Sequence, residues 1–362
     1  MDDDEMALCT VTPSIFAECF NDTISTPGTC YEDSCCMSVE MATSWHYRLS
    51  QSLHIVFSVA GILTAIAYLT KYSRKHILPF NIRVLITIIL ILIIIHSFDM
   101  AILHMHHIHK SFDAANFRSP CSIRNRVGFC APFRYTYSFC ILTLAICQYT
   151  IYAERIVSIL WRHYQRHYRR LLVGLLVHMF ALSIGLIVWV YRNENSDAYL
   201  LSCLNVPLES MMDLTLVTAI LFPINVFCLL LSIFLFRSFR SQQKLSRFDV
   251  KKHFKASVDV DSCEFLWRTT ATQAIFIIAY PILSITMRYF YEYTPRPIHV
   301  TWATSSYVFS VYSFAVPSVM LHYVRNYQLN RRERIWNHVK LKSVGVEGAD
   351  NYFNSLKNQW GG

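Results

Sequence analysis

The run LLVGLLVHMFALSIGLIVWVY, Leu171 to Tyr191, holds 21 residues without an Asp, Glu, Lys or Arg. A helix of about 20 apolar residues matches the hydrocarbon thickness of a bilayer. Its backbone polar groups would be satisfied inside the segment, as lipid requires. Five further uncharged runs have similar lengths: Leu49 to Thr70, Tyr135 to Ala153, Leu214 to Phe236, Thr269 to Met287 and Pro297 to Val324. Another, Val84 to Phe98, is interrupted by Asp99 and resumes through Leu103. The count is seven. None alternates with a period of two, so the reading is an all-α membrane protein, a seven-transmembrane helix bundle rather than a barrel. Its spans are expected at about 49–70, 82–103, 132–158, 171–191, 211–236, 266–290 and 297–324.

Composition agrees. Of 362 residues, 54% are hydrophobic and 16% charged, against roughly 25% charged in soluble domains. That shortfall argues against a soluble enzyme. The net charge of +9 could speak for nucleic acid, but no basic module interleaved with aromatics accompanies it, so no nucleic-acid partner is expected.

Lys and Arg set the orientation. With the N-terminus outside, segments 71–76, 159–170, 237–265 and 324–362 are cytoplasmic and carry 21 basic residues, whereas 1–50, 104–131, 192–210 and 291–298 carry 7. The positive-inside rule therefore places the N-terminus outside and the C-terminus inside. This divides the chain into an extracellular, acidic, cysteine-rich tail (1–48), a membrane domain (49–324) and a cytoplasmic tail (325–362). Asp2, Asp3, Asp4 and Glu5 open the tail in place of a signal-peptide pattern, so the first span is read as the anchor. Asn21-Asp22-Thr23 is a glycosylation triplet on the luminal side of that arrangement. Cys9, Cys19, Cys30, Cys35, Cys36, Cys121, Cys130 and Cys203 all fall in the expected external segments, where disulfides persist. A Cys130–Cys203 bridge would tie the loop after the fourth span over the bundle. Parity of the five tail cysteines then makes Cys121 the natural outside partner for one of them. After the seventh span, Arg331 to Val339 places Ile335, Trp336 and Val339 at helical spacing among basic residues. This predicts a short amphipathic helix at the bilayer interface.

Glu154-Arg155 closes the third span. Arg155 lies 25 residues beyond Cys130, about 37 Å of helix. The bland reading is an Arg snorkelling at the membrane edge; the functional one is a switch, an Arg held by a carboxylate and released when helices move. The arrangement resembles the Glu/Asp-Arg-Tyr motif of rhodopsin-like receptors, with Ile156 in place of the aromatic. Pro223, Pro281 and Pro317 sit in the fifth, sixth and seventh spans as in such receptors, but the Asn-Pro-x-x-Tyr signature is absent.

The chain more closely resembles the nematode serpentine chemoreceptors of the Sra superfamily, most like the alpha-beta (Srab) class. The stretches that carry this are Pro79-Phe80-Asn81, His96 to His104, Pro120-Cys121 with Cys130 and Arg134, Ala153-Glu154-Arg155-Ile156, and Leu245-Ser246-Arg247-Phe248 running into Asp261 to Trp267. The resemblance implies a G-protein-coupled chemosensory receptor in the plasma membrane of a sensory cilium or dendrite. Its partners would be the bilayer, a heterotrimeric G protein and a small-molecule or peptide cue, with a receptor dimer left open.

In such a bundle the cue enters a pocket between the outer halves of the helices. Intramembrane charges are the sharpest candidates for it: Asp99, Arg134 and Arg288. An ion pair of Asp99 with one of the two arginines is the default, and ligand contact is compatible with it. Tyr137, Ser138 and Ile141, one and two turns from Arg134, would share its face. On the cytoplasmic side Asp261 precedes Pro281 by twenty residues, the interval of the lock acid in rhodopsin-like receptors, so an Arg155–Asp261 contact is expected to restrain the sixth span. Glu264, a turn on, is the alternative. His104-Met105-His106-His107-Ile108-His109 invites a metal reading, but it has neither acids nor the usual spacing and is taken as a solvated, pH-sensitive loop. No cofactor, metal site or catalytic constellation is expected. The rival function is a ligand-gated cation channel of the seven-helix odorant-receptor type, which has its N-terminus inside. A seven-helix metal hydrolase would need ligands that the histidine run lacks.

Overall fold

The computed structural model describes residues 39–72, 78–113, 124–161, 163–200, 202–245, 250–290, 293, 301–302, 304–340 and 346–360. Among the described residues seven long helices follow one another: α1 (Trp45–Tyr72), α2 (Phe80–Asp113), α3 (Val127–Leu160), α4 (Tyr164–Val190), α5 (Leu208–Leu245), α6 (Val250–Tyr289) and α7 (Phe309–Lys340). A separate helix, α8 (Val346–Trp360), ends the chain. The first six are long and apolar enough to cross a membrane. The seventh closes the bundle by packing on α1, α2 and α6. A seven-helix bundle is thus the fold.

The helices overrun the expected spans because charge marks the edge of the hydrocarbon, whereas helical hydrogen bonding continues past it. α2 runs ten residues beyond the expected boundary at 103, and α6 begins sixteen residues before the expected 266. The seventh helix departs the other way. Residues 301–302 and 304–305 are helical, the helix breaks, and α7 starts at Phe309. The carbonyl of Thr304, which would bond within a continuous helix, accepts from the Tyr307 N–H (3.2 Å) and faces Nε2 of His54 on α1 (3.2 Å). The stretch 331–340 is the end of α7, and the strongly amphipathic helix is α8.

α2 and α3 form the inside of the bundle. Ile82, Leu85, Ile86, Leu90 and Ile93 of α2 are fully buried. α3 buries one residue after another from Val127 to Arg155. α4 and α5 are peripheral: Val173, Val177, Ile184 and Val188 share an exposed face of α4, an apolar surface that suits lipid rather than water. α1 buries Tyr47, Ser50, Gln51, His54, Ser58, Gly61, Ala65 and Tyr68, a single face of small and polar residues of the kind that joins helices in lipid. At Gly61 the approach is closest. A Cβ there would lie 2.8 Å from the carbonyl oxygen of Ser313 on α7 and 3.0 Å from its carbon. Gly61→Ala must therefore push backbone against backbone, with an expected loss of about 1–3 kcal/mol, measured as a lower unfolding temperature in detergent.

The loop between α4 and α5 lies across the start of α3. Its β2 (Tyr199–Leu200) pairs antiparallel with β1 (Asn125–Arg126), Asn125 opposite Leu200 and Arg126 opposite Tyr199. The next N–H groups, unpartnered within a helix that starts here, donate to the same loop: Val127 to Ala198 (2.8 Å) and Gly128 to Ser196 (3.0 Å). A Cys130–Cys203 disulfide completes the attachment.

Candidate functional site: a roofed cavity and a buried acid–arginine hub

Beneath this loop α3, α5, α6 and α7 line a cavity of about 120 Å³. Leu204 and Val206 roof it, and Tyr137, Ser138 and Ile141 form the α3 wall. These three are the residues that helical spacing placed together. Tyr137 donates to the Leu204 carbonyl (3.3 Å), fixing the roof, and Ser138 shares a hydrogen bond with the Tyr191 hydroxyl (2.8 Å). Deeper, Asn225 of α5, Gln273 of α6 and Tyr312 of α7 add polar groups to a wall otherwise aliphatic and aromatic.

Arg134 does not line this cavity. It is fully buried, pairs with Glu194 of the roof loop, and holds its guanidinium 5.5 Å from the Tyr191 ring. The default pairing of Asp99 with Arg134 therefore does not form. The loop, stapled by the disulfide, brings in its own carboxylate and takes the arginine. The Arg288 side chain lies outside the described residues. Asp99 is buried on α2 near Tyr137, Tyr307 and Cys140, with Oδ2 lacking a hydrogen-bond partner among the described residues. Tyr307 connects this region to the cavity: its ring lines the wall and its hydroxyl bonds Nε2 of His96 (3.0 Å).

The histidine run is not a loop. It continues α2, so His104 and His107 are buried, and His54 of α1 stacks on His104 with centroids 4.6 Å apart. Nδ1 of His104 is hydrogen-bonded to Oε1 of Gln51. Among the described residues no group of three His, Cys, Asp or Glu is placed to hold a metal ion. Asn21, Cys121 and the tail cysteines lie outside the described residues.

At the other end of α3, Glu154 is fully buried and collects donors from three helices. Arg155 gives Nε (2.7 Å) and an η nitrogen (3.0 Å), Asn81 of α2 gives Nδ2 (3.1 Å), and Tyr164 of α4 donates its hydroxyl. Asn81 Nδ2 also donates to the Tyr164 hydroxyl (3.0 Å) and the Tyr168 carbonyl (3.2 Å). Charge-assisted bonds of this kind are the stronger class. A carboxylate with so many donors stabilises the positive charge beside it.

The acids of α6 divide between two faces. Asp261 is turned to α7: its carboxylate accepts from Tyr327 (3.1 Å) and its carbonyl from Tyr323 (3.2 Å). Glu264 pairs with Arg268 one turn on (2.7 Å). Asp259, also on α6, lies close enough for its charge to act on Arg155. Two residues along a helix are about 200° apart, so Asp259 and Asp261 necessarily face different neighbours.

The model of the family described as "Serpentine type 7TM GPCR chemoreceptor Sra" matches residues 31–360 of the chain. The chain belongs to this family. It is 50% identical over 353 residues to serpentine receptor class beta-18 of Caenorhabditis elegans, covering 98% of this chain and 97% of that protein. Serpentine receptors class beta-17 and class beta-16 of the same organism are 24% and 20% identical over 87% and 88% of this chain, and over 87% and 94% of their own lengths. The relatives are named as receptors, and the resemblance carried by the sequence motifs holds.

Five residues of the cavity, its roof and the Glu154 hub escaped the sequence reading: Glu194, Asn225, Tyr312, Asn81 and Tyr164. Asn81 stood within a quoted stretch, and Tyr164 lies ten residues after Glu154. Both were legible as positions but not as partners of one carboxylate.

Proposed function

We propose that this serpentine receptor sits in the plasma membrane of a sensory cilium or dendrite with its disulfide-tied roof outside. It binds a chemical cue in the roofed cavity and activates a heterotrimeric G protein at the opposite end. The observation that carries this is the course of α3. One helix lines the cavity with Tyr137, Ser138 and Ile141 and, nearly four turns after the last of these, carries the buried Glu154–Arg155 hub. Packed helices have discrete arrangements, so a cue that favours one arrangement at the cavity shifts the population at the hub. In the resting arrangement Glu154 holds Arg155, and the charge of Asp259 on α6 also acts on it. Release of Arg155 opens the transducer face.

The test is cue-stimulated G-protein nucleotide exchange in cells expressing wild type or Arg155→Ala, with surface level measured alongside. The expected result is a response reduced more than about tenfold at equal surface level. A cation current that persists without G protein, and is indifferent to Arg155, would instead establish the channel reading.

A further inference from the structure

The cavity has a chemistry that its sequence neighbours conceal. No described residue lining it is Asp, Glu, Lys, Arg or His. Arg134 is paired with Glu194 of the roof loop, and Asp99, though near Tyr137 and Tyr307, is not among the lining residues. A carboxylate or ammonium entering such a space exchanges its hydration for walls without a counter-ion, which is costly.

Two polar atoms of the wall lack partners. Oδ1 of Asn225 on α5 and the hydroxyl of Tyr312 on α7 are buried and make no hydrogen bond among the described residues, each on a residue 2% exposed. Buried polar groups are nearly always paired, so a pair of exceptions in one cavity calls for an explanation. The Asn225 amide already donates to the Leu221 carbonyl (2.7 Å), which leaves its oxygen as a pure acceptor. The Tyr312 hydroxyl donates as well as accepts. Gln273 is already engaged, donating to the Leu144 carbonyl (3.0 Å). Of the wall's polar groups, these two are the buried ones without a partner among the described residues, an acceptor on α5 and a donor on α7.

We infer that the cavity takes a small uncharged molecule with an apolar body and a neutral hydroxyl or primary amide group. That group donates to Asn225 and accepts from Tyr312. The inference rests on the reading of this cavity as the cue site and specifies its ligand class: neutral alcohols and amides, not acids, amines or charged peptides.

The experiment measures binding to the full-length receptor in nanodiscs, by thermal unfolding and by competition, with five compounds of one chain length: 1-hexanol, hexanamide, 2-hexanone, hexanoate and hexylammonium. Hexanol and hexanamide are expected to bind at least 30-fold more tightly than hexanoate or hexylammonium. Loss of one hydrogen bond is worth about tenfold. Asn225→Leu should therefore weaken hexanol about tenfold and leave 2-hexanone, which has no donor, unchanged. Tyr312→Phe should weaken both. Comparing compounds within one variant removes any general loss of stability. Equal binding of either charged compound, a hexanol preference that survives both substitutions, or binding by none of the five overturns the inference. Because binding is read without a transducer, neutral ligands that bind yet drive no nucleotide exchange would count against coupling alone. A G-protein response confined to charged cues would spare coupling and overturn the ligand class.

Discussion

Glu154→Gln is expected to raise cue-independent G-protein activation several-fold, and Glu154→Ala to do so while also lowering the unfolding temperature by roughly 10 °C. The carboxylate has no exposure and accepts from Arg155, Asn81 and Tyr164. Removing one partner of a buried ion pair costs about 3–5 kcal/mol, mostly because the other charge stays behind uncompensated. Glutamine keeps the shape and one acceptor oxygen for Asn81 or Tyr164, so it loses less stability, yet it no longer neutralises the guanidinium. If the resting state loses about 2 kcal/mol relative to the released one, their ratio moves about 30-fold. Asn81→Ala provides the contrast: it cuts the tether to α2 but leaves the charge pair, so it should lower stability with little rise in basal exchange. Basal exchange by Glu154→Gln at the wild-type level, with equal surface expression, would sink the switch and leave Glu154 a purely structural residue.

The sequence disclosed what is local and missed what folding brings together. Seven spans could be counted because lipid admits few charges, so each charged residue punctuates the chain. The same punctuation misplaced helix ends: it stopped the second span at 103, and so set His104 and His107 in a loop when they are buried on the continuing helix α2. Tyr137, Ser138 and Ile141 were grouped by helical spacing from Arg134, yet they line the cavity and Arg134 does not. Glu194 was not readable, since in the sequence it is an ordinary acid of a polar loop, and only the disulfide and the β1–β2 pairing carry it to Arg134. Asn225 was equally silent. A single amide in an apolar run has no meaning until another helix supplies or withholds its partner. The α6 acids show what spacing leaves out: the twenty-residue interval pointed to Asp261, whose carboxylate also accepts from Tyr327 of α7, but gave no sign of Asp259, whose charge also acts on Arg155.

The Arg134–Glu194 pair is where the second large effect is expected. Arg134 is fully buried and Glu194 is 4% exposed at its side chain. Glu194 also accepts from the Tyr135 hydroxyl (3.0 Å), so both the top of α3 and the roof loop depend on it. Glu194→Gln leaves a guanidinium in the bundle with no carboxylate, and Arg134→Met leaves a carboxylate under the roof with no cation; each should cost about 3–5 kcal/mol. The double variant Arg134→Met, Glu194→Leu removes both charges and fills similar volume with apolar groups, an exchange that is often neutral. It should therefore recover most of the loss, with a coupling of more than about 2 kcal/mol in a double-mutant cycle read by thermal unfolding in detergent. If the pair instead met the cue directly, cue affinity would stay lost in the double variant after stability had returned. Since the cavity wall includes neither residue, the expected result is that stability and cue affinity recover together, because Leu204 and Val206 regain their place over the cavity once the loop is again held without an unpaired charge. Stability losses that simply add in the double variant would show that the two side chains do not act as a pair.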